Sequence, residues 1–428
     1  MIDLIRVPDP TCIDDLLDEP LGLLYLGASL DERGHDVRIT NLAGHDVDSW
    51  KPEIKEADLY GIQLYTPTAH IGIDIAKFIK EKFDKPVICG GAHPTALPEL
   101  EDLSVFDKVV LSEGERSIVG IAEAHKKGRN LPRVVKSEFI EDLDSVPFPA
   151  RGMVDMMSFH RKLEGERSFG IIGSRGCNYK CAFCDRSLFG SRARFRSIGN
   201  IVDEIKEVVS EYDVRNFEFF DDMFGATKKR IREFAEKTRG LNIKYRCNGR
   251  SDVLDKEVYE SLHDSGCRMI CFGIDSGSQR ILDLMKKGTR VEQNFEAIKT
   301  AQSSGLNVMG YFIAGFPGET RETIRQSIDF IEKSNIDQAQ FYTFIPLPGN
   351  EVYKNPEKFG VTKMSKDYKD YFHVTGKDGR GGRVIETKHL TSDELHGEVV
   401  EIRKFLKSHT WRGDVQDYYK KDLGYNVE

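Results

Sequence analysis

Short apolar segments of strand character alternate with helical segments along most of this chain. Between residues 168 and 349, strand character is found in RSFGIIGSRG, NFEFFDD, IKYRCNG, RMICFGID, VMGYFIAGFPG and AQFYTFIPLPG. A segment with helical spacing separates each of these from the next. Crossover helices between parallel strands produce this alternation, so we predict an incomplete (β/α)6 barrel of the TIM type over residues 166–350. Its chemistry belongs at the carboxyl ends of the strands.

The residues before this barrel alternate in the same way. Helical spacing is found in PLGLLYLGASLDERG and HIGIDIAKFIKEKF, and strand character in DVRITNL, ADLYGIQLY, KPVICGG and FDKVVLSEGE. We therefore predict a Rossmann-like, doubly wound domain over residues 1–140, with any ligand crevice at the carboxyl edge of its sheet. Residues 141–165 lack a sustained period and are predicted to be a linker. Residues 351–428, which include the helical segment TSDELHGEVVEIRKFLKSH, are predicted to form a small helical cap.

Charge and hydropathy narrow the classes of partner. The 428 residues carry a formal net charge of −8, which disfavours a broad phosphate-binding surface and therefore a nucleic-acid partner. A small-molecule or peptide substrate is favoured instead. Charged residues interrupt every apolar stretch near the N-terminus, and no segment approaches the roughly 20 apolar residues of a spanning helix. We expect a cytoplasmic protein with no membrane partner.

Three of the eight cysteines, Cys177, Cys181 and Cys184, lie within eight residues directly after the first predicted barrel strand. In a reducing compartment such crowding indicates metal ligation rather than disulfides. A structural zinc site would need a fourth ligand, and none lies at finger-like spacing. Three unliganded packing cysteines are the other alternative. A [4Fe-4S] cluster usually takes four cysteines, so three would leave one iron open to an outside ligand. Packing is the favoured role for the strand cysteines Cys89, Cys247, Cys267 and Cys271.

The cysteine loop resembles that of the radical S-adenosylmethionine (SAM) superfamily, which has this spacing and an aromatic residue before the third cysteine, here Phe183. The resemblance extends across the barrel. It implies that the amino and carboxylate groups of SAM chelate the open iron. It also implies that one electron from the reduced cluster cleaves SAM into methionine and a 5′-deoxyadenosyl radical. An external one-electron reductant, such as flavodoxin or ferredoxin, is then required.

The resemblance further implies contacts to the methionine part of SAM. Asp221 or Asp222, at the end of the second barrel strand, would accept a hydrogen bond from the amino group. Relatives often have Gly-Gly-Glu there, which leaves the choice open, and a solvated strand end is the alternative. Arg250, after the third strand, suits the carboxylate because a guanidinium can form paired hydrogen bonds. A surface salt bridge is the alternative for Arg250.

Two later strand ends complete the implied SAM site. Asp275 and Ser276 would lie near the ribose and the methionine moiety, although relatives usually have Glu at position 275. Gly315, Phe316 and Pro317 begin a Gly-Phe-Pro-Gly segment that matches the adenine-contacting segment of the family. Tyr311, Tyr342 and Tyr368 are candidate substrate-pocket residues on position alone.

The N-terminal domain resembles the cobalamin-binding domain that precedes the barrel in a large subfamily. The matching segments carry glycines and hydroxyl groups at the predicted edge of the sheet, and the candidate contacts are Thr66, Thr68, Gly90, Gly91, His93 and Ser112. The Asp-x-His-x-x-Gly motif of many cobalamin proteins is absent. We therefore expect no histidine ligand on cobalt, with His93 near the corrin at most. A domain that keeps the scaffold without the cofactor is the alternative.

The reaction implied by both resemblances is methyl transfer to an unactivated carbon. In the family the deoxyadenosyl radical abstracts a hydrogen atom, and methylcobalamin donates a methyl group to the carbon radical. A cobalamin-independent dehydratase or epimerase that uses the N-terminal domain as a scaffold is the second hypothesis. A non-catalytic iron-sulfur electron carrier is the third, and it would have no use for the SAM-binding motifs.

Overall fold

The computed structural model describes residues 1–12, 14–46, 49–224, 227–253, 255–372 and 383–409. Six parallel strands form the first sheet in the order β2-β1-β3-β4-β5-β6. The strands are β1 (Ile2–Arg6), β2 (Val37–Asn41), β3 (Leu59–Gln63), β4 (Val87–Gly90), β5 (Lys108–Leu111) and β6 (Val134–Lys136), and the helices are α1 (Leu21–Asp31), α2 (Ala69–Phe83), α3 (Ala92–Ala96) and α4 (Glu115–Lys126). This is the predicted Rossmann-like architecture. The strand order reverses between β1 and β3, so the ligand crevice is expected there.

Strand β1 was not predicted from the sequence, and charged residues occupy two of its five positions. Asp3 is nevertheless completely buried. Its carboxylate accepts hydrogen bonds from Nη2 of Arg38 at 2.5 Å and from Oγ1 of Thr40 at 2.8 Å, both on the neighbouring strand β2. A buried charge is tolerated when it is paired and hydrogen-bonded. The ion pair therefore allows a charged residue inside a strand that hydropathy alone would reject.

The second sheet is the predicted partial barrel, with strand order β15-β14-β13-β12-β11-β8-β7. Six of its strands are parallel, and β7 adds an antiparallel edge. A separate two-stranded ribbon is formed by β9 and β10. The strands are β7 (Lys162–Leu163), β8 (Glu166–Ile171), β9 (Ser174–Arg175), β10 (Arg194–Phe195), β11 (Asn216–Phe219), β12 (Lys244–Gly249), β13 (Cys267–Asp275), β14 (Asn307–Ala314) and β15 (Gln338–Thr343).

One helix follows each of β10, β11, β12 and β14, and two follow β13. They are α5 (Ile198–Tyr212), α6 (Lys228–Thr238), α7 (Lys256–Asp264), α8 (Gln279–Leu284), α9 (Val291–Ser303) and α10 (Arg321–Ser334). Helix α10 illustrates how the sequence sets these limits. Thr320 and Thr323 form a reciprocal capping box at its start, and Asn335 adopts a left-handed conformation at its end. Ile324 and Ile331 lie on the same face and are buried.

The C-terminal region contains the predicted helix and also a small hairpin. Its elements are α11 (Glu351–Lys354), β16 (Val361–Met364), β17 (Ile385–Thr387) and α12 (Ser392–Ser408), with β16 and β17 antiparallel. Helix α12 packs against β15, the edge strand of the barrel. The part of the predicted cap at 373–382 and 410–428 lies outside the described residues. Among the helices that are described, none has the length and apolar composition to cross a bilayer.

Candidate functional site

The three clustered cysteines lie on a loop closed by the β9–β10 ribbon. Ser174 pairs with Phe195, and Arg175 pairs with Arg194 across the ribbon. Gly176 begins the loop with a φ of 80°, and a Cβ on it would lie 2.5 Å from the carbonyl oxygen of Arg192. This position therefore requires glycine for both its backbone conformation and its close contact. The loop follows β8 at the carboxyl end of the barrel, which is where the sequence predicted it.

Burial distinguishes the thiols of this loop. Cys181 is 8% exposed, and Cys177 and Cys184 are half-buried. Burial, together with the carboxylate of Asp222 and the other two thiols, raises the pKa of the Cys184 thiol to about 12. Burial also raises the pKa of Cys181, while the cations Lys287 and Arg250 oppose that rise. Binding to iron must therefore overcome the cost of buried thiolates, with nearby cations lowering that cost.

The donor set fits a [4Fe-4S] cluster. Among the described residues, no three His, Cys, Asp or Glu side chains converge on a site for a single ion. A cluster with three cysteine ligands takes each sulfur on a different iron, so its thiols need not converge on one point. The loop backbone is held from outside, because Ala182 donates to the carbonyl of Met285 at 2.8 Å and accepts from the Glu351 amide at 3.1 Å. The Lys287 ammonium lies 5.8 Å from the ring centroid of Phe183.

The two neighbouring aspartates after β11 have different environments. Asp221 is buried and accepts hydrogen bonds from the Gly173 amide at 2.9 Å and from the Ser174 hydroxyl at 2.5 Å. Burial raises its pKa to about 6. Asp222 is exposed, and its carboxylate is close enough to raise the pKa of Cys184. Asp221 therefore joins β11 to the segment after β8, whereas Asp222 is the carboxylate accessible near the cysteine loop.

Arg250 is 7% exposed and is not a surface residue. Its Nε and Nη2 each lie 2.9 Å from a carboxylate oxygen of Asp252, and Nη2 also donates to the carbonyl of Lys287 at 3.0 Å. The guanidinium lies 3.6 Å from the ring centroid of Tyr179, which is in the cysteine loop. The side chain therefore connects the third barrel strand end to the loop, and Nη1 takes no part in these hydrogen bonds.

We expect Arg250→Ala to weaken SAM binding by roughly 1.5–3 kcal/mol, the scale of a hydrogen bond to a charged group. The affinity can be measured anaerobically by equilibrium dialysis against a cluster-loaded protein. Arg246→Ala is unsuitable as a control because Arg246 pairs with Glu218 inside the barrel. Arg232→Ala on the exposed face of α6 is a suitable one. An unchanged dissociation constant in Arg250→Ala with a full cluster would exclude a role in SAM binding.

The structure brings Asp275 to the site but encloses Ser276. Asp275 has a left-handed backbone with φ of 62°, and its Oδ2 lies 2.6 Å from the Lys287 Nζ in a buried ion pair. Ser276 has no exposed surface, and its hydroxyl accepts from the Ser278 amide at 3.1 Å. The Ser276 side chain is thus used within the turn, whereas Lys287 joins Asp275 to the region of the cysteines. Lys287 was not identified from the sequence.

The Gly315-Phe316-Pro317-Gly318 segment follows β14 and turns back over a buried glutamate. The Gly315 amide donates to Oε2 of Glu319 at 2.5 Å. Phe316 is completely buried, and Pro317 is also buried. Burial raises the pKa of Glu319 to about 8. Glu319 was not identified from the sequence, although it directly follows the glycine-containing turn.

A cavity of about 990 Å³ lies between the two sheets. Its first wall is the carboxyl edge of the Rossmann-like sheet and includes Thr66, Thr68, Gly90, Gly91 and Ser112. Its second wall comes from the barrel and its loops and includes Ile172, Arg175, Phe189, Phe220, Gln340 and Tyr342. The volume is at the upper end of the range for ligand cavities. Five of the six candidate cobalamin contacts therefore lie on one wall of a cavity that also opens to the barrel.

Gly91, on the first wall of this cavity, is required by the local backbone. Gly91 has a φ of 108°, and a Cβ on it would lie 2.8 Å from the Leu64 carbonyl oxygen. The backbone of Gly91 therefore lies against Leu64 at the end of β3, and this contact by itself requires glycine. Tyr65, which follows β3, projects into the cavity with 52% of its surface exposed. Glycines and hydroxyl groups beside a projecting aromatic ring form a wall suited to a large flat ligand.

His93 is not among the residues that line the cavity. It is 2% exposed, its Nδ1 lies 3.3 Å from Oγ1 of Thr66, and its ring meets Tyr368 edge-on at 5.2 Å. Burial lowers its pKa to about 4. His93 therefore lies behind the first wall of the cavity, in contact with Thr66, which lines that wall.

We expect His93→Ala and His70→Ala to leave the electron paramagnetic resonance spectrum of bound Co(II) cobalamin free of any protein nitrogen splitting, as in the parent protein. The reason is that neither imidazole lines the cavity. Tyr65→His serves as the positive control for a nitrogen placed on the wall. A nitrogen splitting present in the parent and lost in either alanine variant would identify that histidine as a cobalt ligand.

Two domain families match the chain. The model of the radical SAM superfamily matches residues 171–331, and that of the B12 binding domain matches residues 18–122. An uncharacterized methyltransferase of Pyrococcus horikoshii is 32% identical over 400 residues, covering 88% of this chain and 85% of that protein. Bacteriochlorophyllide d C-12(1)-methyltransferase of Chlorobaculum tepidum is 28% identical over 394 residues, covering 90% and 82%.

A solved structure shares the whole fold. It is the radical SAM methyltransferase TsrM of Kitasatospora setae with cobalamin and a [4Fe-4S] cluster bound, with a TM-score of 0.72, 18% identity, and coverage of 94% of this chain and 88% of that one. The cofactors of the two matched domains are a [4Fe-4S] cluster with SAM, and cobalamin. This chain therefore belongs to the radical SAM superfamily, as an enzyme with an N-terminal B12-binding domain.

Proposed function

We propose that this enzyme is a cobalamin-dependent methyltransferase that acts on an unactivated carbon. The observation that carries the proposal is that one cavity, of about 990 Å³, has a wall from each domain. A domain retained only as a scaffold would have no need of an open wall facing the barrel. The methyltransferase names of the relatives from Pyrococcus horikoshii and Chlorobaculum tepidum also support it.

The residues of the barrel would bind and orient SAM. Bound together, the cofactors supply an electron for SAM cleavage and a transferable methyl group. We assign the three thiols to the cluster. Of the two aspartates we assign Asp222 to the amino group of SAM, because Asp221 already accepts two hydrogen bonds inside the protein. Arg250 would use Nη1 for the carboxylate while Asp252 and Tyr179 hold the guanidinium plane in place.

The adenosine part of SAM would lie against the ends of β13 and β14. Asp275, held by Lys287, and the backbone of the Gly315-Phe316-Pro317 segment are the proposed contacts. Ser276 would contribute through its backbone, since its side chain has no exposed surface. Phe316 belongs to a buried apolar cluster, which would keep water away from this side of bound SAM.

The substrate would enter the barrel side of the same cavity. Phe220, Phe189 and Tyr342 give that side an aromatic lining, and Gln340 accepts a hydrogen bond from the Tyr342 hydroxyl at 2.7 Å. This lining suits a small molecule or a peptide side chain whose reacting carbon is apolar. Flavodoxin or ferredoxin is the proposed one-electron donor.

The experiment is a transfer of labelled methyl. Protein reconstituted with iron, sulfide and hydroxocobalamin is incubated anaerobically with reductant and methyl-deuterated SAM, and the corrinoid fraction is analysed by mass spectrometry. We expect the label in that fraction before any substrate is known. Protein reconstituted without iron is the matched control. Formation of deoxyadenosine with no label on the corrinoid would contradict methyl transfer while leaving SAM cleavage intact.

A further inference from the structure

The ribbon that closes the cysteine loop carries two buried arginines, Arg175 on β9 and Arg194 on β10. Both face one carboxylate of the other domain. Nη1 of Arg175 lies 3.3 Å from Oε1 of Glu113, and Nη1 of Arg194 lies 2.9 Å from Oε2 of the same residue. Nη2 of Arg175 also lies 2.5 Å from Oε1 of Glu115. These four side chains are at most 9% exposed, and Glu113, Glu115 and Arg175 also line the cavity.

Glu113 connects three parts of the chain. It lies in the loop between β5 and α4, next to Ser112, and lines the wall of the cavity. Its Oε2 accepts a hydrogen bond from the Ile140 amide at 2.6 Å, and Arg194 donates to the Ile140 carbonyl at 2.7 Å. The Glu113 carboxylate thus connects the first wall of the cavity to Ile140, at the start of the segment between the two domains, and to the β9–β10 ribbon that closes the cysteine loop.

The charges of this network balance, with two carboxylates and two guanidinium groups. Charges removed from water are tolerated only when they are paired with good geometry, and loss of one partner leaves an uncompensated buried charge. The network therefore strongly favours one placement of the loop over others. An exposed pair, Arg192 and Glu141, also joins the loop to the interdomain segment, but both side chains are about two-thirds exposed. Such a pair contributes little.

We propose that Glu113 is a positioning residue. It holds the cysteine loop against the first wall of the cavity, the carboxyl edge of the Rossmann-like sheet, and so sets the separation between the two cofactors. It acts through Arg175 and Arg194 and not on SAM or substrate. The separation matters because the two cofactors act on one substrate carbon, and a misplacement of about 1 Å can lower a rate roughly 100-fold. The proposal rests on the binding of both cofactors and not on methyl transfer as the outcome.

The test is a distance measurement in the holoenzyme. Protein loaded with cobalamin as Co(II) and with the cluster reduced to its paramagnetic state contains two spins, and their dipolar interaction reports the separation. We expect one narrow distribution in the parent and a broader or shifted one in Glu113→Gln, which keeps the shape of the side chain and removes its charge. Glu141→Gln, the exposed counterpart, should give the parent distribution.

A second variant is needed because Glu113 lines the cavity, and Glu113→Gln could lose cobalamin for that reason alone. Arg194→Gln removes the other end of the pair and does not alter the cavity lining. We expect the same broadening with full iron and cobalamin content. A parent-like distribution in either fully loaded variant would overturn the proposal. Because the measurement needs no substrate and no turnover, its result is independent of whether the enzyme transfers a methyl group.

Discussion

Replacing Cys177, Cys181 or Cys184 by Ala is expected to abolish the formation of deoxyadenosine from SAM. Each thiolate is assigned to a different iron, so no remaining residue replaces the one removed. Their loop is also held by the β9–β10 ribbon and by the contacts of Ala182, which prevents a distant cysteine from taking the vacant place. The measurement is liquid chromatography of anaerobic reactions with dithionite, with iron and sulfide determined on the same samples.

The matched controls are Cys267→Ala and Cys271→Ala on β13. Both cysteines are buried in the barrel wall, and Cys267 lies 4.0 Å from Cys247 on the neighbouring strand. The structure thus confirms the packing role predicted for them. We expect these variants to keep the absorbance of the cluster. Turnover in any variant of the three loop cysteines, or iron loss in either control, would show that the ligands are misassigned.

Replacing Glu319 by Gln is expected to stabilise the protein at alkaline pH. Burial raises the pKa of Glu319 from 4.5 to about 8. A carboxyl group whose pKa is raised on folding contributes its full stability below its unfolded pKa, and that contribution is lost as the pH rises through the folded pKa. Glutamine never ionises and can still accept from the Gly315 amide. The difference in unfolding free energy should therefore grow in favour of the variant from about pH 4.5 to about pH 8, by up to several kcal/mol.

Denaturant unfolding of both proteins at several pH values measures this difference. Glu322→Gln, on the exposed first turn of α10, is the control and should show a much smaller pH dependence. The cluster should be absent from both samples, so that metal loss does not contribute to the transition. A difference that stays constant from pH 5 to pH 9 would mean that Glu319 titrates near its ordinary pKa.

Most of the fold was predictable because strand and helix periods are local. The six parallel barrel strands were each recognised from a short segment of strand character that ends in glycine or a charged residue. Strand β1 was not recognised, and the contacts that stabilise its buried charge come from a distant part of the sequence. Its Asp3 is compensated by Arg38 and Thr40, which lie more than thirty residues away. An ion pair of this kind becomes visible only when the sheet order is known.

The site was predictable to the extent that its residues are contiguous. The cysteine loop and the glycine-rich strand ends are short segments, and five of the six candidate cobalamin contacts line the cavity. His93 does not, because its ring packs behind Thr66. The network around Glu113 was not predictable, since Glu113 and Arg194 are 81 residues apart and each alone resembles an ordinary surface charge.

The most direct test of this account is an anaerobic reconstitution with iron, sulfide and hydroxocobalamin, followed by gel filtration and quantification of both cofactors on the protein. The proposed function uses one cavity with one wall from the Rossmann-like domain and one from the barrel and its loops. We predict that each chain retains one [4Fe-4S] cluster and one cobalamin, and that the same sample cleaves SAM on reduction. Retention of the cluster and of SAM cleavage without cobalamin would contradict the account and leave the N-terminal domain as a scaffold.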